Sequence, residues 1–152
     1  MRDHDLAMMR LALDQAQAAA RAGETPVGAV VFEPQSGAVI AAGSNAPISR
    51  SDPTAHAEIL ALRLAAKLVG NYRLTGLGLA VTLEPCAMCA GAISHARIGH
   101  LIIGASDPKG GGVLHGARVF DQPTCHWRPA LVSGVLGPES AVLLRSFFRA
   151  RR

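Results

Sequence analysis

Leu6, Met9, Leu13, Ala16 and Ala20 recur at helical spacing, which predicts a helix over 5–22 that Gly23 ends. The period then changes. Val27 to Phe32 and Ala38 to Ala42 are short β-rich runs joined by Pro34-Gln35-Ser36-Gly37, which is turn chemistry, so they read as a hairpin. Asn45 to Asp52 reads as a loop. Pro53-Thr54 then opens a second helix, carrying Ile59, Leu60, Leu62 and Leu64 to about Leu68, where Gly70-Asn71 stops it. A strand over Leu77 to Leu83, a helix from Cys86 to about Ala96 and a strand over Gly99 to Gly104 follow. Asp107 to Gly112 is a glycine-rich loop, 113–130 carries no clear period, and Pro138 to Arg151 is a last helix with Phe147 and Phe148. This alternation predicts an α/β fold, a three-layer α/β/α sandwich around a central mixed sheet. No internal repeat or linker marks a boundary, so one domain over 1–152 is expected.

Composition narrows the class. The 152 residues are 49% hydrophobic and 17% charged, enough to bury a core without covalent staples. No run of about 18 apolar residues offers a membrane span. Met1 to Asp5 lacks the basic-then-apolar layout of a secretory signal, so a cytoplasmic protein without membrane attachment is expected. Lys and Arg number 15 against 11 acids, a net charge of +4, which is compatible with a polyanionic partner. Two of the three cysteines form Cys86-x-x-Cys89, a spacing that in a reducing compartment points to metal or redox chemistry.

His56-Ala57-Glu58 and Pro85-Cys86-Ala87-Met88-Cys89 carry the strongest signal. One imidazole and two thiolates suit zinc, and three protein ligands leave the fourth tetrahedral position open for water. His56 and Glu58 sit at the start of one expected helix, and Cys86 and Cys89 one turn apart at the start of another. Both positive helix ends then face the site, which favours thiolates. Glu58, two residues from the imidazole, is placed to take a proton from metal-bound water. Two other readings stand beside this one. A structural zinc site would need a distant fourth ligand, such as Cys125 or His126. A thioredoxin-like redox pair would leave the His-x-Glu element idle.

The chain resembles a known family at these residues. His-x-Glu followed by Pro-Cys-x-x-Cys is the signature of the zinc nucleobase deaminases. The longer strings Pro26-Val27-Gly28-Ala29-Val30, Asp52 to Glu58, Asn71-Tyr72-Arg73-Leu74, Val81 to Ala92 and Phe147-Phe148-Arg149 resemble the bacterial tRNA-specific adenosine deaminases. The resemblance implies a cytidine deaminase-like fold, one Zn2+ per subunit, a homodimer, and hydrolytic conversion of adenosine to inosine at the wobble position of a tRNA anticodon. It implies His56, Cys86 and Cys89 as metal ligands and Glu58 as the catalytic group. It also implies a substrate-binding set. Asn45 would contact the flipped base, Asp107 and Lys109 the neighbouring nucleotides, and Phe148 and Arg149 the RNA groove, with Ala57 and Pro85 beside the metal ligands. The 110–129 segment departs from the better-known members.

Two rival functions remain open at this point. One is the same zinc chemistry on a free base or nucleoside such as guanine, cytosine or cytidine. The other is a zinc-stabilised RNA-binding module, for which Glu58 would have no use. The basic end, Arg145, Arg149, Arg151 and Arg152, reads equally as a solvated helix terminus and as an RNA footprint. Of the adjacent Phe147 and Phe148, one is expected in the core. Trp127 reads as packing, and His4, His95, His100 and His115 as surface or structural residues.

Overall fold

The first apolar stripe forms α1, Asp5–Arg21, in the computed structural model of the chain, which describes residues 1–151. Met8, Met9, Ala12, Ala16 and Ala19 are its buried face. The hairpin follows as β1, Gly28–Phe32, and β2, Val39–Ser44, antiparallel with a register shift between Val31 and Phe32. Next come α2 (Ala57–Val69), β3 (Gly78–Leu83), α3 (Ala87–His95) and β4 (His100–Ala105). A short β5, Ala130–Val132, and α4, Gly137–Ala150, complete the order.

The five strands form one sheet in the order β2-β1-β3-β4-β5. β1 is antiparallel to both β2 and β3, whereas β3, β4 and β5 run parallel, so the sheet is mixed as expected. Every residue of β1 and β4 is buried, as strands covered on both faces must be. One core lies between the sheet and α2 and α3, with Ala61, Leu62, Ala65, Ala90 and Ile93 against Val31, Leu79, Val81 and Ile103. The other lies under α1, with Met8, Met9 and Ala12 against Val30, Phe32, Ala80 and Ile102. On that same face the Ser140 hydroxyl of α4 donates to the Thr82 carbonyl of β3. The result is the three-layer α/β/α sandwich, and no helix among the described residues is long and apolar enough to cross a membrane.

Two details differ from the sequence reading, each for a local reason. α2 begins at Ala57 rather than at Pro53-Thr54, because the Asp52 carboxylate accepts from both the N–H and the hydroxyl of Thr54, at 2.9 and 2.8 Å. That side-chain turn competes with helix and leaves His56 extended as the N-cap. β5, which no expected element covered, begins at the last residue of the stretch without period and pairs with β4 from His100↔Ala130 to Ile102↔Val132. Phe147 is core and Phe148 is 49% exposed, which separates the two rings as expected.

Candidate active site

β3 and β4 run parallel, and the chain leaves β3 directly into Glu84-Pro85-Cys86. Clefts of open α/β sheets lie at such carboxyl ends. A cavity of about 360 Å³ opens here, lined by Thr25, Val27, Asn45, Pro47, His56, Glu58, Leu83, Glu84, Cys86, Asp107 and Gly110. Its floor is the start of two helices. His56 is the N-cap of α2 and Cys86 the N-cap of α3, both with extended backbone and neither side chain turned back to cap its own helix. Both side chains therefore project into the cleft. α2 can approach the sheet because Gly43 of β2 faces it: a Cβ there would lie 2.4 Å from the Ala57 carbonyl oxygen.

His56 Nδ1 lies 3.6 Å from Cys86 Sγ and 3.5 Å from Cys89 Sγ, and the three donor atoms are all within 4.8 Å of one another. Zinc bonds of about 2.0–2.3 Å at tetrahedral angles place donors roughly 3.5 Å apart, so the triangle suits zinc. Charge supports the fit. Hydrogen bonding from Cys89, opposed by burial and helped by the backbone N–H groups of Cys89 and Met88 and by His56, brings the Cys86 thiol down to about 5. Its ionised partner and burial push Cys89 up. Two sulfurs thus compete for one proton, and a dication between them removes the competition. Among the described residues this is the one cluster of three or more His, Cys, Asp or Glu side chains suited to a metal. Cys125 lies elsewhere, with Ser94 Oγ at 3.5 Å and its thiol donating to the Trp127 carbonyl, so it is not part of the triangle.

Glu58 lies in the first turn of α2, 4% exposed, in the same cavity as His56 and Cys86. Burial raises its carboxyl above the ordinary range, and the neighbouring Cys86 adds to the rise. The raised carboxyl is one that can hold a proton nearer neutral pH.

The other anticipated residues divide. Asn45 lines the cavity, is 9% exposed, and is oriented by donation of its amide to the Thr25 carbonyl at 3.2 Å. Asp107 also lines it, but its Oδ1 accepts from the Lys109 and Gly110 N–H groups of its own loop, at 3.2 and 3.0 Å. Lys109 is exposed on that loop and does not line the cavity. Ala57 and Pro85 are buried behind the ligands. The carbonyl of Pro85 accepts from Gly112 N–H at 2.8 Å, and neither residue lines the cavity. Phe148 and Arg149 lie apart, in a surface groove of about 310 Å³ with Leu144 and Arg145. Arg151 is drawn over the Phe147 ring at 3.5 Å, and Arg152 lies outside the described residues.

The sequence reading missed Thr25, Val27, Pro47, Leu83 and Glu84 as lining residues. Glu84 is the most consequential of them. Burial alone would raise its carboxyl, but the N–H groups of Asp107, Leu114 and Val113 and the His115 ring outweigh that and hold it below the usual carboxylate range. An acid at the end of a strand whose neighbours are apolar was the available signal.

A His/Cys/Cys triangle beside a buried carboxylate, at the cleft of this sandwich, defines a zinc hydrolase of the nucleobase-deaminase class. The family model for the cytidine and deoxycytidylate deaminase zinc-binding region matches residues 2–105. A tRNA-specific adenosine deaminase of Agrobacterium fabrum is 51% identical over 144 residues, 95% of this chain and 93% of its own. A structure from biochemical and structural studies of A-to-I editing by tRNA:A34 deaminases superposes with a TM-score of 0.88 at 50% identity, covering 91% of this chain and 99% of that one. A guanine deaminase from Nitrosomonas europaea is more distant, at a TM-score of 0.82 and 27% identity, covering 93% of this chain and 83% of its own. The chain belongs to this zinc-binding deaminase family and, within it, to the tRNA-specific adenosine deaminases.

Proposed function

We propose that this chain hydrolytically deaminates adenosine to inosine at the wobble position of a tRNA anticodon, position 34 in the numbering used for its structural relative. The observation that carries the reading is the His56–Cys86–Cys89 triangle with buried Glu58 beside it, in a chain half identical to named tRNA-specific adenosine deaminases. His56 Nδ1 and the two sulfurs would hold one Zn2+ per chain. Bound zinc supplies Lewis acidity that makes water nucleophilic near neutral pH.

The chain's own groups do the rest. Glu58 accepts a proton from the attacking water and delivers it to the ring nitrogen; it then takes the proton of the new C–O–H and passes it to the amine, which leaves as ammonia as the C–N bond breaks. Its burial supports this role, because desolvation holds the carboxyl above the ordinary range and so favours proton uptake. Asn45, fixed by Thr25, offers the base a polar contact, and Thr25, Val27, Pro47 and Leu83 enclose it. A cavity of about 360 Å³ is large enough to receive an extruded base. Asp107 and Lys109 on the pocket-side loop meet the flanking nucleotides, and the separate groove of Arg145, Phe148 and Arg149 on α4 takes RNA further out. Their electrostatic share of binding weakens with salt.

In this reading residues 1–152 form a single deaminase domain that acts in the cytoplasm as a homodimer. An apolar face between α2 and α3, with Ile59, Leu62, Ala66, Tyr72, Ala92 and Ala96, supports the dimer. Incubating purified protein with an anticodon stem-loop and scoring inosine tests the activity, and light scattering tests the dimer. Efficient turnover of guanine with an inert stem-loop would move the substrate to that of the Nitrosomonas relative and leave the zinc chemistry standing.

A further inference from the structure

Two buried glutamates besides Glu58 take no part in the chemistry above. Glu24 is 2% exposed and Glu84 3%. Glu24 accepts from the N–H of Ile48 through Oε1 at 3.2 Å and from Ser49 through Oε2 at 2.7 Å. Glu84 accepts the N–H of Asp107 through Oε1 at 3.0 Å. Its Oε2 accepts those of Val113, Leu114 and His115, at 3.2, 2.9 and 3.1 Å. The His115 ring closes the set, with Nδ1 2.8 Å from Oε1. The backbone wraps Glu84 so closely that a Cβ on Gly111 would lie 2.1 Å from Oε2.

The two anchored segments both line the cavity. The segment held by Glu24 carries Asn45 and Pro47, and the one held by Glu84 carries Asp107 and Gly110. Neither belongs to a helix or strand; scattered backbone bonds, such as Asn45 N–H to the Val27 carbonyl and Gly112 N–H to the Pro85 carbonyl, hold them in place of a regular ladder. A loop that must order itself around substrate lowers affinity by that ordering, and a loop already ordered does not. Carboxylate acceptors for several N–H groups are the strong, charge-assisted kind of hydrogen bond.

We propose that Glu24 and Glu84 are positioning residues for the deamination, each setting one wall of the base pocket in its binding shape before RNA arrives. The proposal rests on the tRNA reading for its substrate and on the loops alone for its mechanics. Glu24→Gln and Glu84→Gln keep the side-chain shape but turn an NH2 toward amides that need an acceptor. With the zinc-loaded full chain, each variant should raise KM for the anticodon stem-loop roughly 10- to 100-fold, the scale of a misplaced binding group, while kcat changes less. Zinc should stay at one per chain. Amide exchange should quicken at Ile48 and Ser49 in Glu24→Gln only, and at Asp107, Val113, Leu114 and His115 in Glu84→Gln only. Should Glu84→Gln fail to fold, His115→Ala removes one contact from the same carboxylate and should show the same pattern on a smaller scale. Unchanged KM, loss of zinc, or exchange that quickens across β1, β3 and β4 as well would overturn the proposal. Wild-type protein inert on the stem-loop but active on guanine would sink the tRNA reading instead. The loop-specific exchange pattern, with a raised KM for guanine, would then still stand for the positioning role.

Discussion

Adding one methyl group to Gly112 should damage both stability and substrate binding, because this glycine lies directly on the helix that presents Cys86. A Cβ at Gly112 would stand 2.5 Å from the Ala87 nitrogen, 2.7 Å from its Cα and 2.8 Å from the Cys86 carbonyl carbon. All three are backbone atoms, so no side chain can turn away. Ordinary contact begins at about 3.4 Å, which means the 106–116 loop and the first turn of α3 must separate by roughly 1 Å. The Gly112 N–H bond to Pro85 and the bonds to Glu84 stretch with them. Overpacking of this kind costs about 1–3 kcal/mol, or a fall in Tm of about 2–12 °C for a chain of this size. Gly99→Ala is the control, since a Cβ there meets only ordinary contacts of 3.7–3.8 Å. Thermal melts of the zinc-loaded proteins, with steady-state kinetics on the stem-loop, make the comparison. If Gly112→Ala melts with the wild type and keeps its KM, the loop does not bear on α3 as described.

Glu58→Ala should keep zinc and fold but lose turnover by at least about 10²-fold, read as kcat beside metal content; an active variant would make Glu58 a bystander. Cys86→Ala and Cys89→Ala should each lose both metal and activity, whereas Cys125→Ser should keep both; loss of metal on changing Cys125 would mean a closed, structural site. Acid should remove the stabilising effect of Glu24. Burial pushes that carboxyl up, but the N–H groups of Ser49 and Ile48 win and its folded pKa is lowered. Its contribution is therefore present above the unfolded value of about 4.3 and lost as pH falls through the lower folded value. The Tm gap between wild type and Glu24→Gln should be widest near pH 6 and close toward pH 3, and a gap that widens in acid would reverse the assignment. Arg149→Ala should raise KM for RNA and reduce its salt dependence without touching zinc.

The metal site was legible in the sequence because its chemistry is local. Cys86 and Cys89 need one helical turn, and His56 and Glu58 need one helix start, so their spacing survives in the chain. Strands buried on both faces, such as β4, announced themselves as unbroken apolar runs. What escaped depends on partners far along the chain. β5 is three residues long and follows Pro129, and only its pairing with β4 makes it a strand. Glu84 reaches residues up to 31 positions away, and nothing in its own neighbours says that loop amides will surround it. His100, expected to be surface or structural, is structural, but its partner was not legible: Nε2 lies 2.8 Å from the carboxylate of Asp5, 95 positions earlier. The start of α2 was misplaced because a single side-chain turn at Asp52 overrides the helix signal of Pro53-Thr54.

The central claim is that this pocket serves an adenosine presented by RNA. The most direct measurement compares, for one zinc-loaded preparation, inosine formed in an anticodon stem-loop carrying adenosine at the wobble position with ammonia released from free adenosine, cytidine and guanine. Efficient inosine formation in the stem-loop, abolished in Glu58→Ala, and negligible release from the free compounds are expected. An inert stem-loop beside efficient release from guanine or cytidine would contradict it.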